Sequence, residues 1–160
     1  MLTLKPLSHE KLTMANKLRN SVFQYLSKEE KLTLDASLDP SMYVKVYQAL
    51  SITSLTYWIA ELDDVMVGLV GLYEEKDDAL DTYWLGWYCV DPEYRGQNIG
   101  KKLIAFAIHE AKMNAKRYLK LYTTVHDTYG VARMQYEKIG FTCSSKKGKK
   151  LHYCLDLESI

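Results

Sequence analysis

Residues 87–103 read WYCVDPEYRGQNIGKKL, and this stretch decides how the chain folds and what it binds. An aromatic strand ends at Asp91-Pro92, and a loop containing Gly96 and Gly100 leads directly into a helix that begins with two lysines. Small residues let backbone N–H groups converge, and a helix N-terminus adds unpaired donors and the positive end of a dipole. The two lysines oppose that dipole by about 0.3–1 kcal/mol each unless an anion lies between them. The pattern predicts a phosphate-binding loop, and the alternative is a loop that only caps a helix.

Two familiar nucleotide-binding motifs do not fit this loop. A P-loop needs four residues between its glycines and a Ser or Thr after its lysine, whereas only three residues separate Gly96 from Gly100 and Lys102 follows Lys101. The G-x-G-x-x-G spacing of dinucleotide-binding proteins is absent. The sequence therefore argues against an NTPase and against a nicotinamide-dependent enzyme.

The composition is that of an ordinary globular protein. The chain has 160 residues, 48% hydrophobic and 26% charged, so residues 1–160 are expected to form one domain with its own core. A net charge of +1 provides no global field for nucleic acid or for an anionic membrane, so neither is expected as a partner. The sequence shows neither a secretory leader nor a transmembrane run, and a cytoplasmic location is the expectation.

The cysteines and histidines argue against disulfide bonds and against metal-binding sites. Cys89, Cys143 and Cys154 are odd in number and have no C-x-x-C spacing, which argues against a disulfide framework and against a zinc site. The four histidines show no metal-ligand spacing. Cys89 has no adjacent cation or base, so we interpret it as a packed thiol rather than a nucleophile.

Hydrophobic periodicity predicts an α+β protein with about seven strands and about four helices. The expected strands are an edge strand at 2–7 and runs at 55–62, 65–73, 82–90, 118–125, 141–145 and 151–157. The expected helices run from a Ser8 cap to about Ser27, from Asp39-Pro40 through Leu50, from the loop to Lys116-Arg117, and over 131–139. Short turns make the second to fourth strands antiparallel, and the helix after the loop leads to a parallel fifth strand.

Two segments carry a family resemblance. Residues 90–100 read VDPEYRGQNIG, and Ala132 is followed by YEKIGF at 136–141. The first segment resembles the acyl-CoA loop of the GNAT superfamily of N-acyltransferases, with Arg95 and Gly100 at the ends of the family pattern. The second is similar to that family's helix near the acyl thiol and the strand after it. The resemblance extends to the order of elements over nearly the whole chain, and it implies a mixed, mostly antiparallel sheet that is splayed between its fourth and fifth strands.

The resemblance also implies a chemistry. Acetyl-CoA would be the cosubstrate, no metal would take part, and an amine would attack the thioester directly without a covalent enzyme intermediate. Tyr136 matches the family's general acid, which gives a proton to the departing thiolate. The residues implied to bind the cosubstrate are Cys89, Val90, Arg95, Gly96, Gln97, Asn98, Ile99, Gly100, Lys101, Tyr129 and Ala132.

The sequence departs from the family pattern at three positions. Asn98 stands where the family has its middle Gly, and Asn adopts the left-handed conformation more readily than other non-Gly residues. Tyr129 stands where many relatives have Asn, and Trp84 stands where some have a Glu general base. The base that removes the amine proton is therefore unassigned.

Some side chains outside the two motifs have both a functional and a structural interpretation. Tyr83, Trp84 and Trp87 are candidates for lining an acceptor pocket, although most aromatic strand residues belong to the core. His126 next to Asp127 is a candidate proton relay, with a plain loop as the alternative.

Two charged turns likewise have both a functional and a structural interpretation. The acidic turn 74–81 would attract a cationic substrate or is a solvated hairpin turn, and its Glu74 and Glu75 are expected to lie too far from the thioester to act as a base. Four lysines around Gly148 would contact acidic partners or are equally well explained as a solvated turn; they are Lys146, Lys147, Lys149 and Lys150.

The expected function is transfer of an acetyl group from acetyl-CoA to the primary amine of a small molecule. The alternatives are acetylation of a protein N-terminus or lysine, and a non-catalytic acyl-CoA-binding module. The sequence names neither the amine nor the length of the acyl chain, and a homodimer is as compatible with it as a monomer.

Overall fold

The computed structural model describes residues 1–126 and 129–160. Its strands are β1 Leu2–Pro6, β2 Ile52–Leu62, β3 Val65–Glu75, β4 Thr82–Val90, β5 Tyr118–Thr124, β6 Thr142–Lys147 and β7 Lys150–Asp156. Its α-helices are α1 Leu12–Val22, α2 Thr33–Leu38, α3 Tyr43–Leu50, α4 Ile99–Met113 and α5 Gly130–Ile139. Short 3-10 turns precede α1, α2 and α3 and follow β4 and β7.

The strands form one mixed sheet in the order β1-β2-β3-β4-β5-β7-β6. All neighbouring pairs are antiparallel except β4 and β5, which run parallel. The parallel pair follows from the crossover through α4, because a helix is needed to bring the chain back to start a strand in the same direction. The predicted α+β fold with a seven-stranded, mostly antiparallel sheet is therefore confirmed.

The sheet is covered on both faces, and the alternation of side chains along each strand divides the core in two. One core lies under α4 and α5 and includes Leu119 and Leu121 of β5. The other lies under α1, α2 and α3, which contact β2, β3 and β4. On that second face, β5 presents Lys120 and Tyr122 in place of the buried leucines. That side of the outer strands is therefore polar and partly open.

Two helix boundaries differ from the prediction. α1 ends at Val22 rather than near Ser27, and Tyr25 has a φ of 57°, which a continuing α-helix does not allow. Ser8 precedes a 3-10 turn and makes no side-chain capping bond. Asp39 does accept hydrogen bonds from Ser41, but the turn that it begins is a 3-10 turn ahead of α3.

In the part of the chain that the structure describes, there is one α-helix more than the four predicted. Residues 27–30 form a reciprocal capping pair in which Ser27 N–H donates to Glu30 Oε1 and Glu30 N–H donates to Ser27 Oγ, both at 3.0 Å. This pair opens a 3-10 turn that runs into α2. The S-x-x-E spacing was the sequence signal for this helix. Within the described residues, no helix is long and apolar enough to cross a membrane.

Candidate active site

The site begins where β4 and β5 separate. The two strands pair over only three residues each, ending at Trp84 and Lys120, although β4 continues to Val90 and β5 to Thr124. β5 remains paired with β7 along its whole length, so the far half of β4 has an edge with no strand beside it. This is the predicted splay, and it leaves backbone groups of β4 available to an extended ligand.

A β-bulge in β4 lies beside the splay. One residue of β3, Val70, faces two residues of β4, Trp87 and Tyr88. Trp87 has a φ of 39°, an unusual value for a bulky residue. Its ring is fixed, because Nε1 donates to Thr33 Oγ1 at 2.6 Å and the ring centroid lies 5.1 Å from that of Phe23. These contacts hold a strained backbone that re-aims the strand next to the splay.

Arg19 ties the α1–α2 connection to this bulge. Its side chain is 1% exposed, and it donates to the carbonyl oxygens of Glu30 at 3.4 Å and Lys31 at 3.1 Å. Its guanidinium carbon lies 5.2 Å from the Trp87 ring centroid. The sequence analysis missed this residue, although its position four after Ala15 places it on the buried face of α1.

The loop after β4 has the shape of an anion-binding cradle, a name we use for residues 91–101. Asp91 Oδ1 accepts from Glu93 N–H at 2.9 Å and starts a 3-10 turn. Gly96 and Asn98 follow with φ values of 83° and 63°. Asn98 thus has the left-handed conformation expected from its place in the pattern. Alternating left-handed residues turn successive N–H groups toward one side, where they can face an anion.

The N-terminus of α4 completes the cradle. The Asn98 side chain makes no capping hydrogen bond. The first backbone hydrogen bond of α4 runs from Lys102 N–H to Asn98 O at 3.2 Å. The N–H groups of residues 99–101 therefore have no helical acceptor. Lys101 and Lys102 are exposed and take part in no salt bridge with any residue that the structure describes. Free donors and two cations at one point fit the phosphates of a coenzyme.

Gly100 is required by a contact inside the protein as well. The Tyr88 hydroxyl donates to Gly100 O at 2.8 Å, and a Cβ placed on Gly100 would lie 2.8 Å from that same hydroxyl oxygen. By contrast, a Cβ on Gly96 would meet no atom within 4 Å, so only its φ requires glycine. Tyr88 therefore anchors the start of α4 to the bulge.

Tyr136 lies beneath the splay, between the sheet and α5. It is 7% exposed and packs against Tyr88, Phe141 and Tyr153, with ring centroids 5.7–6.2 Å away. Burial, with smaller contributions from Tyr88 and Cys89, raises the pKa of Tyr136 well above its ordinary value. The phenol therefore keeps its proton at neutral pH and is available as a donor.

The N-terminus of α5 borders the same cleft. Tyr129 precedes the helix, and its N–H donates to His126 O at 3.0 Å. Ala132 packs against the core under α4 and α5. Arg133, which the sequence analysis missed, donates to the carbonyl oxygens of Thr124 at 2.6 Å and His126 at 2.8 Å, so it ties α5 to the end of β5. The suggested His126–Asp127 relay cannot be placed, because Asp127 lies outside the described residues.

The three aromatic candidates for the acceptor pocket do not share one face of the sheet. Tyr83 faces α4, where its ring lies 4.7 Å from the Lys116 ammonium. Trp84 and Trp87 belong to the opposite face, and Trp84 stacks on Tyr73 at 6.2 Å. Successive side chains of a strand point to opposite faces of the sheet, so Tyr83 and Trp84 are separated. The sequence analysis did not apply this rule.

A cavity of about 430 Å³ opens beside Trp84 on the face that α1–α3 leave uncovered. It is open to solvent, and a second depression of about 380 Å³ lies beside α3, so the volume by itself does not identify a ligand site. Its lining residues are Trp84, Tyr118, Lys120, Ser144, Ser145, His152 and Cys154.

Two carboxylates of the acidic turn have partners of their own. Glu74 Oε2 lies 2.8 Å from Lys116 Nζ. Asp78 accepts from Trp84 Nε1 at 3.1 Å and pairs with Lys120 Nζ at 3.3 Å. These two residues therefore position other side chains and contribute little free charge for steering a substrate.

The Cys89 thiol lies inside the protein. Cys89 is 5% exposed, and burial raises the pKa of its thiol to about 12, which agrees with a packed thiol. Among residues 1–126 and 129–160, no group of three or more His, Cys, Asp or Glu side chains is placed to hold a metal ion.

Comparison with known proteins places this geometry in a family. The family model described as Acetyltransferase (GNAT) domain matches residues 53–143. No curated protein matches the chain. Among solved structures, a putative GNAT acetyltransferase from Desulfovibrio desulfuricans superposes with a TM-score of 0.76 at 19% identity, covering 98% of this chain and 99% of the other. The ribosomal-protein-S18-alanine N-acetyltransferase of Escherichia coli gives 0.72 at 16% identity, with 98% and 94% covered. The PaiA N-acetyltransferase of Thermoplasma acidophilum, solved with coenzyme A, gives 0.70 at 19% identity, with 98% and 99% covered.

Proposed function

The chain belongs to the GNAT family of acetyltransferases, and from this premise we propose that it transfers an acetyl group from acetyl-CoA to the primary amine of a small molecule. The observation that carries the proposal is the adjacency of three features: the cradle, the β4 bulge and the splay. The bulge lies three to four residues before the cradle begins, on the strand edge that the splay exposes. A phosphate site, an extended channel and a reactive centre thus follow one another along β4.

Three parts of the acetyl-CoA molecule have a matching surface. The unpaired N–H groups of residues 99–101, together with Lys101, suit the pyrophosphate. The free edge of β4 near Cys89 and Val90 suits the pantetheine amides, which would add to it like a further strand. Backbone donors that the bulge re-aims would polarise the thioester carbonyl.

Tyr136 is proposed as the proton donor to the departing sulfur. The amine nitrogen forms a bond with the carbonyl carbon, the carbon–sulfur bond breaks, and the thiolate takes a proton. A buried phenol with a raised pKa remains protonated and can donate to a thiolate that shares its desolvated environment. Tyr88 and Phe141 fix the ring from two sides, so the hydroxyl is held in position before the reaction.

The cavity beside Trp84 supports a small acceptor. Its volume of about 430 Å³ suits a small molecule, and it opens on the sheet face opposite Tyr136. Other members of the fold are named for a protein acceptor and for spermidine, so the fold by itself does not choose. The three cysteines are free thiols, which suits the reducing cytoplasm that we propose as its location.

The test is thiol release from acetyl-CoA in the presence of a panel of small primary amines, a peptide N-terminus and a lysine peptide, with CoA affinity measured by calorimetry. Thiol release that depends on a small amine supports the proposal. Release with peptides alone would assign a protein acceptor instead. CoA binding without release for any amine would identify a non-catalytic binding module.

A further inference from the structure

Thr33, the first residue of α2, links the β4 bulge to the connection between α1 and α2, residues 23–32. Its hydroxyl accepts from Trp87 Nε1 at 2.6 Å and donates to the carbonyl oxygen of Glu30 at 2.8 Å. A hydroxyl has one hydrogen, so the two bonds fix its direction, with the hydrogen toward Glu30 and a lone pair toward the indole. The strained residue of the bulge is thus bound to the backbone of the connection through one side chain.

Arg19 closes this link into a ring of contacts. Its guanidinium donates to the same Glu30 carbonyl oxygen at 3.4 Å, and its central carbon lies 5.2 Å from the centroid of the Trp87 ring. The side chains of Arg19 and Thr33 are 1% and 3% exposed. Hydrogen bonds that are shielded from water in this way are stronger, and a lost partner is more costly.

The strand immediately before the bulge has no room to move. A Cβ placed on Gly86 would lie 3.2 Å from a ring carbon of Tyr73 and 3.3 Å from the Tyr57 hydroxyl oxygen. Because Gly86 is packed this closely, the change in strand direction is confined to Trp87, with its φ of 39°. A bulky residue keeps such a φ only where its surroundings hold it there. The bond to Thr33 is therefore a restraint on the bulge itself.

The restraint bears on the reaction because of where the bulge lies. Its backbone groups are on the part of β4 that has no strand beside it, next to the start of the splay. Donors that polarise a carbonyl must be directed at its oxygen, and small displacements reduce the rate. A change in how Trp87 is held would therefore alter the direction of these groups.

We propose that Thr33 is a positioning residue, whose bond to the Trp87 indole holds the bulge in the geometry that polarises the thioester carbonyl. This inference rests on the proposed acetyltransferase function and extends its machinery from β4 to the start of α2. It gives Trp87 an anchoring role in addition to the pocket-lining role that the sequence suggested.

Two substitutions of Thr33 separate positioning from packing. Thr33→Val keeps the shape and removes the hydroxyl, whereas Thr33→Ser keeps the hydroxyl and removes a methyl group. We expect Thr33→Val to lower kcat about tenfold with CoA affinity unchanged, and Thr33→Ser to keep most of kcat. A packing role predicts the reverse order, because serine leaves the larger void. Steady-state kinetics and calorimetry measure the two quantities.

The infrared band of the thioester carbonyl reports on the bulge without any acceptor. It is measured on acetyl-CoA that carries ¹³C at the carbonyl and is bound to the protein. Weaker hydrogen bonding raises the stretching frequency, so the band should lie at higher wavenumber in Thr33→Val than in the wild type or in Thr33→Ser. Thr82→Val is the matched control, since it removes another buried threonine hydroxyl at the other end of β4, and it should leave the band in place.

Trp87→Phe keeps the test informative if Thr33→Val unfolds the protein. This variant removes the donor of the same bond, so it should shift the band in the same direction, and adding Thr33→Val should have no further effect. An unshifted band in both variants, or additive shifts in the double mutant, would overturn the inference. A wild type that binds acetyl-CoA but releases no thiol with any primary amine would instead overturn the proposed function, and the band comparison would still decide the role of Thr33.

Discussion

The cradle and the cavity beside Trp84 are assembled differently. The cradle draws its parts from a single stretch, residues 91–101, and its shape is set by two left-handed residues and the start of α4. The cavity draws its lining from four strands, β4, β5, β6 and β7. A site made from one continuous stretch of residues can be recognised in the sequence. A site made by strand register becomes visible only in the folded sheet.

The largest effect is expected at Tyr136, which lies in the core under α4 and α5. Tyr136→Phe keeps the ring that packs on Tyr88 and Phe141 but removes the hydroxyl. We expect kcat to fall about 10²-fold, with CoA affinity and thermal stability nearly unchanged. Steady-state kinetics, calorimetry and thermal unfolding measure the three quantities. Parallel losses of kcat and CoA affinity would mean that the residue only packs the helix.

The next largest effect concerns Gly100. An added Cβ would lie 2.8 Å from the Tyr88 hydroxyl, and overpacking of this kind costs about 1–3 kcal/mol. Gly100→Ala should therefore reduce both the free energy of unfolding and the affinity for CoA, as measured by denaturant titration and calorimetry. In a Tyr88→Phe background the same substitution should cost less, because the colliding oxygen is gone. If the cost is the same in both backgrounds, the clash is with the ligand and not with Tyr88.

These predictions show how far local reasoning extends. The antiparallel run β2–β4, the parallel β4–β5 pair and the conformation of Asn98 follow from signals within a few dozen residues. The splay was implied by the family resemblance, and the place of β7 between β5 and β6 was not predicted. α2 was missed because its start is marked only by the Ser27–Glu30 pair, without a strong apolar period behind it. Applying the two-residue period of a strand would have separated Tyr83 from Trp84.

The residues that sequence reasoning could not supply are those joined across long separations. Arg19 reaches the Trp87 ring, and Trp87 donates to Thr33, through contacts that depend on how α1 and α2 pack on the sheet. No spacing along the chain encodes such a contact, because the register of distant elements is fixed by the whole core. The contacts around Trp87 are therefore visible only in the folded structure.

A smaller effect is expected at Asn98. Its φ of 63° costs a β-branched residue about 1–2 kcal/mol, whereas glycine adopts it freely. Asn98→Val should weaken CoA binding in calorimetry, and Asn98→Gly should retain or slightly tighten it. Equal affinities for the two variants would mean that the loop does not keep this conformation when CoA is bound.

The smallest effect concerns Lys101, and it distinguishes a ligand site from a helix cap by its sign. A lysine in the first turn opposes the helix dipole, so Lys101→Glu should stabilise the ligand-free protein by about 0.3–1 kcal/mol. The same change places a negative charge where the coenzyme phosphates are proposed to lie, so CoA affinity should fall about two- to fivefold at low salt. Stability and affinity should thus move in opposite directions, and the difference in affinity should shrink as salt is added. Lys17→Glu, on α1 and outside the cradle, serves as the control for net charge, because it changes the total by the same amount without touching the start of α4. A Lys101→Glu protein that gains stability and binds CoA as well as the Lys17→Glu control would show that the lysine does not face the phosphates, and the cradle would then rest on its backbone N–H groups alone.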